Sequence, residues 1–238
     1  MSSSGVAVGR RVLAVFAHPD DESLLCGGTL AAHVKRGDDV RLLVLGDGVG
    51  ARSQPGTIGF PQEVAEERQR RLAHFGKACG VLGITQFHAA VLYEDQRADL
   101  TAQIRINRFV EDRIADITPE IVYTHFIGDL NLDHRCVAEA VLVATRGLCT
   151  VYGAEPEWSA RTVGRRFEPP FAAFDITDTI DQKMAAVACY EDEARAFPHP
   201  RSPQSLRERA AYRGAQLGTW TYAEAFDVLQ ASAYEEIA

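Results

Sequence analysis

Residues 12–22, Val12-Leu13-Ala14-Val15-Phe16-Ala17-His18-Pro19-Asp20-Asp21-Glu22, decide how this chain is read. Val12 to Ala17 is apolar at every position instead of alternating, the pattern of a strand covered on both faces in a parallel sheet. That strand delivers one imidazole and three carboxylates into a single turn. Ionised carboxylates buried without partners are costly, so the turn calls for a compensating cation. Histidine and aspartate are standard zinc ligands, and a neighbouring aspartate outside the ligand set can serve as general base. Pro and Asp would also suit a plain turn. Four ionisable or ligand groups converging beyond a strand end favour a site over that reading.

Outward from this stretch, Leu24 to Lys35 reads as a helix stopped by Gly37. Gly27 and Gly28 lower its propensity and are expected to bring it close to the sheet. Val40 to Leu45 is a second buried strand, and a Gly/Ser/Pro-rich loop runs from Gly46 to about Pro61. Glu63 to Leu82 reads as a long charged helix and Gln86 to Leu92 as a third strand. Leu100 to Ile117 places Ile104, Ile106, Phe109, Val110 and Ile114 at helical spacing, and Ile121 to Tyr123 is a short buried strand. The polar loop Thr124–Asp133 leads into a helix from His134 to Leu148, and Tyr152 to Pro170 reads as irregular. A late strand over Phe171–Ile176, helices over Thr179–Arg195 and Ser202–Leu217, and a closing segment Trp220–Gln230 complete the chain.

Alternating strands and helices predict an α/β fold: a Rossmann-like, doubly wound, mainly parallel sheet flanked by helices. Residues 1–10 read as a loose arm and 11–238 as a single domain, without internal repeat or linker. Ligands of such sheets sit beyond the carboxyl ends of strands, where strand order reverses. His18 and the Thr124–His134 loop each follow a strand, so the two polar clusters can face one crevice.

With 25 basic and 33 acidic residues the net charge is −8, which disfavours nucleic acid or an anionic membrane as partner. Five scattered cysteines without Cys-x-x-Cys suit reduced thiols and a cytoplasmic location. The N-terminus shows neither signal peptide nor membrane span. Homo-oligomerisation is left open.

Zinc catalysis uses three protein ligands and an open position. His18 and Asp21 can supply two, and the third should come from Asp129-Leu130-Asn131-Leu132-Asp133-His134, with His134 the best candidate. Asp133 fits a helix N-cap, which would place His134 in the first turn, where the helix terminus favours the neutral, ligating imidazole. Glu22 is expected to orient the turn. Asp129 reads as a loop cap or a substrate contact.

The hexapeptide Ala17–Glu22 resembles the signature of the PIG-L/LmbE-like family of zinc-dependent N-deacetylases, which hydrolyse N-acetylated sugars and related amides. The resemblance implies an LmbE-like fold, zinc (or another divalent metal) on His18, Asp21 and His134, and Asp20 as general base. It implies hydrolysis of the N-acetyl group of a small amino sugar or sugar conjugate by activated water. Gly46-Asp47-Gly48, Lys183–Tyr190, Arg213-Gly214 and Tyr222–Phe226 extend the likeness, so that it covers about residues 11–230. Two positions depart from the pattern. Asn131 stands where many members carry the first His of His-x-x-His, so either Asn131 donates a hydrogen bond to the intermediate or His125 substitutes. Arg71 matches a family arginine that could bind substrate, but His74 replaces the glutamate that usually follows it.

Several residues have plainer readings. His33 sits among Lys35 and Arg36 and reads as a solvated helix face; His74, His88 and His199 read as structural or exposed. Cys26 and Cys136 lack a partner base and read as packing residues. Arg161, Arg165 and Arg166 read as a solvated loop cluster. Two other functions remain in play: a dinucleotide-binding module, because Gly46–Ala51 formally fits Gly-x-Gly-x-x-Ala, and a non-catalytic zinc-stabilised sugar-binding protein, because of Asn131.

Overall fold

The computed structural model describes residues 9–49, 61–95, 97–159, 161–169 and 171–232. Residues 1–8 of the expected arm and 50–60 of the loop after the second strand lie outside them. The strands are β1 (Arg11–Phe16), β2 (Asp39–Gly46), β3 (Gln86–Tyr93), β4 (Ile121–His125), β5 (Thr150–Ala154), β6 (Ala172–Asp175) and β7 (Ala223–Gln230). The helices are α1 (Asp21–Arg36), α2 (Pro61–Leu82), α3 (Gln103–Ile117), α4 (Leu132–Thr145), α5 (Ile180–Ala188) and α6 (Pro203–Leu217). The seven strands form one sheet in the order β3-β2-β1-β4-β5-β7-β6. The first five in that order are parallel, and β7 runs antiparallel between β5 and β6. The expected mainly parallel, doubly wound sheet is the observed one.

The unbroken apolar run of β1 has a direct explanation. Val12, Ala14 and Phe16 enter the core beneath α1 and α2, with Leu24, Leu30, Phe75 and Leu82. Leu13, Val15 and Ala17 enter the core on the other face, with Val110, Ile114, Val137 and Val141. The chain steps outward from β1 to β2 and β3, then crosses to β4 on β1's other side. The carboxyl ends of β1 and β4 therefore flank the point of reversal, where doubly wound sheets bind ligands.

Several expectations are corrected. β5 runs from Thr150 into the stretch read as irregular from Tyr152; Gly153 breaks its apolar signal, yet a Cβ there would come 3.0 Å from Leu229. α5 ends at Ala188, not Arg195, and a 3₁₀ turn over Glu191–Glu193 follows. That break lets Tyr190 and Glu193 turn inward onto Glu22 and Arg71. α3 starts at Gln103, after a 3₁₀ turn over Ala98–Leu100, and Ile104 is exposed. α4 starts at Leu132 and ends at Thr145. His33 is buried, with its ring nitrogens 2.8 Å from the Tyr123 hydroxyl and 2.6 Å from Asp38, so it does not face solvent.

Gly27 and Gly28 serve a close approach, to Ile176 and Lys183 as well as to the Glu224 side chain of β7. A Cβ on Gly28 would lie 2.8 Å from Ile176, and one on Gly27 3.3 Å from Lys183. The C-terminal part of the chain is threaded into α1 at this point. Lys183 Nζ donates to the Leu24 carbonyl at 2.9 Å and pairs with Glu224 of β7. The Glu224 carboxylate accepts the Gly28 and Thr29 backbone N–H groups at 3.1 and 2.8 Å.

Candidate active site

The acidic turn is closed by its own carboxylates. Asp21 Oδ2 accepts the His18 backbone N–H at 2.8 Å, and Glu22 Oε2 accepts that of Asp20 at 3.1 Å. Asp21 and Glu22 form the first turn of α1, where negative charge complements the helix dipole. Asp20 has φ 127°, outside the ordinary range for a residue with a side chain. Strain of this kind persists where surrounding contacts fix it, and those contacts are present. Glu22 orients the turn as expected, held in turn by the Ser23 and Tyr190 hydroxyls at 2.7 Å each.

His18, Asp21 and His134, from β1's end and α4's start, come together: one ligand atom from each lies within 4.8 Å of the others. Each histidine uses one ring nitrogen on a carboxylate and presents the other to Asp21. His18 Nε2 lies 3.0 Å from Asp133 and 3.2 Å from Asp95, with Nδ1 3.4 Å from Asp21 Oδ2. His134 Nδ1 lies 2.9 Å from Asp129, with Nε2 3.4 Å from Asp21 Oδ1. Histidines that ligate metals characteristically give their second nitrogen to a carboxylate. Burial disfavours the charged form of His18, but the bonds from Asp133 and Asp21 outweigh it and lift the pKa to about 10. Asp21 and Asp129 remain ionised despite burial, held low chiefly by His134. Two imidazole nitrogens and one carboxylate, backed by Asp95, Asp129 and Asp133, suit a divalent cation in both donor type and charge.

Asn131, not Asp133, is the N-cap of α4: its Oδ1 accepts the Asp133 N–H at 2.9 Å. Relieved of capping, Asp133 points inward, where one oxygen holds His18 and the other accepts the Ala98 N–H at 3.0 Å. Asp129 borders the cleft beside His134, with Oδ1 accepting the Asn131 N–H at 2.9 Å and Oδ2 2.9 Å from His134 Nδ1. His125 is fully buried. Its Nε2 accepts the Ala17 N–H at 2.8 Å, and its ring stacks on His134 with centroids 3.8 Å apart. Burial and the neighbouring His134 push its pKa well down, and with Asp129 and His134 it forms a second group of potential ligand atoms within 4.8 Å of one another.

Arg71, a possible substrate contact by its match to the family, lies beside Asp20. Its guanidinium reaches the Pro19 carbonyl and Asp20 Oδ2, both at 3.4 Å, and pairs with Glu193. Arg201 joins it at 3.2 Å from Asp20 Oδ2, 2.9 Å from Glu193 and 2.6 Å from Glu157. Burial raises the Asp20 pKa to about 7, with Arg201 acting against the rise. Such a value is matched to accepting and returning a proton near neutral pH.

A cleft of about 530 Å³ opens beside these groups, bordered by His134, Asn131, Leu132, Glu157, Trp158 and Arg201. Arg201, Glu193, Asp95 and Trp158 were not singled out from the sequence. For Arg201 a local signal exists: Ser202-Pro203 starts α6, the Ser202 hydroxyl capping Ser205 at 3.0 Å, which fixes the preceding residue. Cys26 and Cys136 are buried thiols pushed up in pKa by desolvation, in keeping with packing roles. Arg165 is exposed, as read from the sequence, and also pairs with Asp227 at 2.7 Å.

Of the Gly46–Ala51 segment, residues 46–49 are described and none of them is helical, while residues 50 and 51 lie outside the described residues; the next described helix, α2, begins at Pro61. Asp47 instead accepts the Val49 and Asp95 N–H groups at 3.2 and 3.0 Å and pairs with Arg68 at 2.7 Å. The dinucleotide reading is thereby not favoured. Among the described residues no helix is long and apolar enough to cross a membrane.

A curated relative, the 1D-myo-inositol 2-acetamido-2-deoxy-alpha-D-glucopyranoside deacetylase of Mycobacterium sp. (strain KMS), is 43% identical over 63 residues. That match spans 26% of this chain and only 17% of the relative. Of solved structures, the 4-carboxy-2-hydroxymuconate hydratase GalB of Pseudomonas putida KT2440 superposes with a TM-score of 0.77 at 21% identity, over 95% of this chain and 99% of that one. The N,N'-diacetylchitobiose deacetylase of Pyrococcus horikoshii does so with 0.73 at 17% identity, over 96% and 89%. At these identities the two likenesses establish the fold. The pattern described as PIG-L, GlcNAc-PI de-N-acetylase, matches residues 13–145, more than half of the sequence, and the chain belongs to the PIG-L family.

Proposed function

We propose that this protein is a divalent-metal-dependent N-deacetylase of an amino sugar or sugar conjugate, with zinc as the metal. The observation that carries the reading is the paired arrangement of His18 and His134, each fixed by a carboxylate and each turning its other nitrogen to Asp21, next to a buried Asp20. His18, Asp21 and His134 would hold the ion, which supplies polarisation of the acetyl carbonyl and a more acidic water. Asp20 takes a proton from the attacking water and returns it to the leaving nitrogen, so that amide and water become acetate and amine. Arg71 and Arg201 hold the Asp20 carboxylate in place through both states. Asn131 uses Oδ1 for the helix cap, which leaves its amide N–H₂ to donate to the carbonyl oxygen as charge develops there. The family membership and the curated relative's named activity support the same reaction class.

The test is acetate and amine release from a panel of N-acetylglucosamine conjugates by zinc-loaded protein, with Asp20→Asn as control. Asp20→Asn should retain metal and lose at least about a hundredfold in kcat. Parental turnover in that variant would remove Asp20 from the mechanism. The solved-structure likeness includes a hydratase, so the panel also contains 4-carboxy-2-hydroxymuconate. Its hydration, with no amine release from any amide, would overturn the deacetylase reading.

A further inference from the structure

The cleft is roomier than the acetyl transfer to water demands, and three apolar side chains border it. At about 530 Å³ it falls in the size range of sites that enclose drug-sized ligands, about 300–1,000 Å³. Leu130 and Leu132 flank Asn131 and are 46% and 40% exposed; Trp158, which borders the same cleft, is 43% exposed. Single exposed apolar residues are ordinary, but these three border one concave space with His134 and Asn131. The Trp158 indole is braced, with the His199 ring edge-on at 5.8 Å and the Arg161 guanidinium 5.7 Å from its centroid. A braced aromatic face loses little freedom when a ligand lies on it.

The remaining wall restricts what can bind. Arg201 has its guanidinium committed to Asp20, Glu157 and Glu193, and carboxylates of Asp99 and Glu157 border the same space. That balance disfavours a phosphate or carboxylate on the substrate. A second sugar ring set against Leu130 and Leu132 would leave hydroxyls facing groups that cannot hydrogen-bond, which is costly on burial.

We infer that Leu130, Leu132 and Trp158 form a subsite for an uncharged apolar aglycone, aryl or alkyl, carried by the N-acetylated sugar. This rests on the deacetylase reading above and adds to it the chemical class of the group next to the sugar. The contact is made by the part of the substrate that does not react, so it acts mainly through KM.

The experiment compares zinc-loaded protein on methyl, octyl and phenyl N-acetyl-β-glucosaminides and on N,N'-diacetylchitobiose. The octyl and phenyl compounds are expected to exceed the methyl compound in kcat/KM by about tenfold, mostly through KM. Trp158→Ala and the pair Leu130→Ser with Leu132→Ser should each bring the octyl-to-methyl ratio close to one. A parental ratio near one, a ratio unchanged in both variants, or chitobiose preferred to the octyl compound would overturn the inference. Calorimetric titration with the octyl and methyl compounds separates the two readings. Absence of turnover with tighter octyl binding that Trp158→Ala abolishes would sink the deacetylase reading and keep the apolar subsite. Equal binding of octyl and methyl compounds would sink the subsite whatever the turnover.

Discussion

Asp133 shows how a single side chain can be legible in type and not in task. Its position before His134 suggests a helix cap, but Asn131 takes the cap and Asp133 turns to His18. The donor types of His18, Asp21 and His134 could be read directly, because few residues ligate metals and all three follow strand ends. The partners that aim them could not, since Asp95, Asp129 and Asp133 reach them through loop geometry that no periodicity encodes. Asp133→Asn keeps the shape while weakening the carboxylate's hold on His18. Zinc affinity, measured by competition with a chelator, should fall about 10- to 100-fold. His125→Leu preserves bulk but leaves the Ala17 N–H without its acceptor. It should cost about 1–3 kcal/mol in denaturant unfolding. An unchanged midpoint would mean that the hydrogen bond to Ala17 adds nothing net to stability.

At the level of elements, signals that are continuous and local survived the step from sequence to structure. β1 was evident because both faces of the sheet are covered, and α6 because Ser202 and Pro203 mark its start. Elements fixed by tertiary contacts were not. β5 has a glycine in its middle to admit Leu229, and α5 stops early so that Tyr190 and Glu193 can satisfy Glu22 and the two arginines. The Gly27–Gly28 pair belongs to the same class: its spacing signalled a close approach but not to what. Gly28→Ala would drive a methyl group to 2.8 Å from Ile176. Melting should show a loss of about 1–3 kcal/mol from overpacking, despite alanine's better helix propensity.

Across the whole molecule, the order of strands explains why two segments more than a hundred residues apart meet. The reversal between β1 and β4 puts both on the same sheet edge, and their carboxyl ends supply His18 and the loop bearing His134. The buried carboxylates of Asp21, Asp129 and Asp133, with half-buried Asp95, then face three imidazoles in one region, a concentration of charge that ion binding relieves. Removing metal with a chelator should therefore lower the melting temperature, with re-addition restoring it. Stabilisation of about 2.7 kcal/mol is expected at a free ion concentration a hundredfold above Kd. Equal melting curves with and without metal would argue against a bound ion in the folded protein.

The threading of Lys183 and Glu224 into α1 bears on how the gene could be shortened. The recognisable family region stops at residue 145, yet the helix that begins with Asp21 is stitched, through its backbone at Leu24, Gly28 and Thr29, to side chains that arrive only after residue 180. A fragment trimmed to the diagnostic portion would keep every proposed ligand and forfeit the clasp that seats one of them.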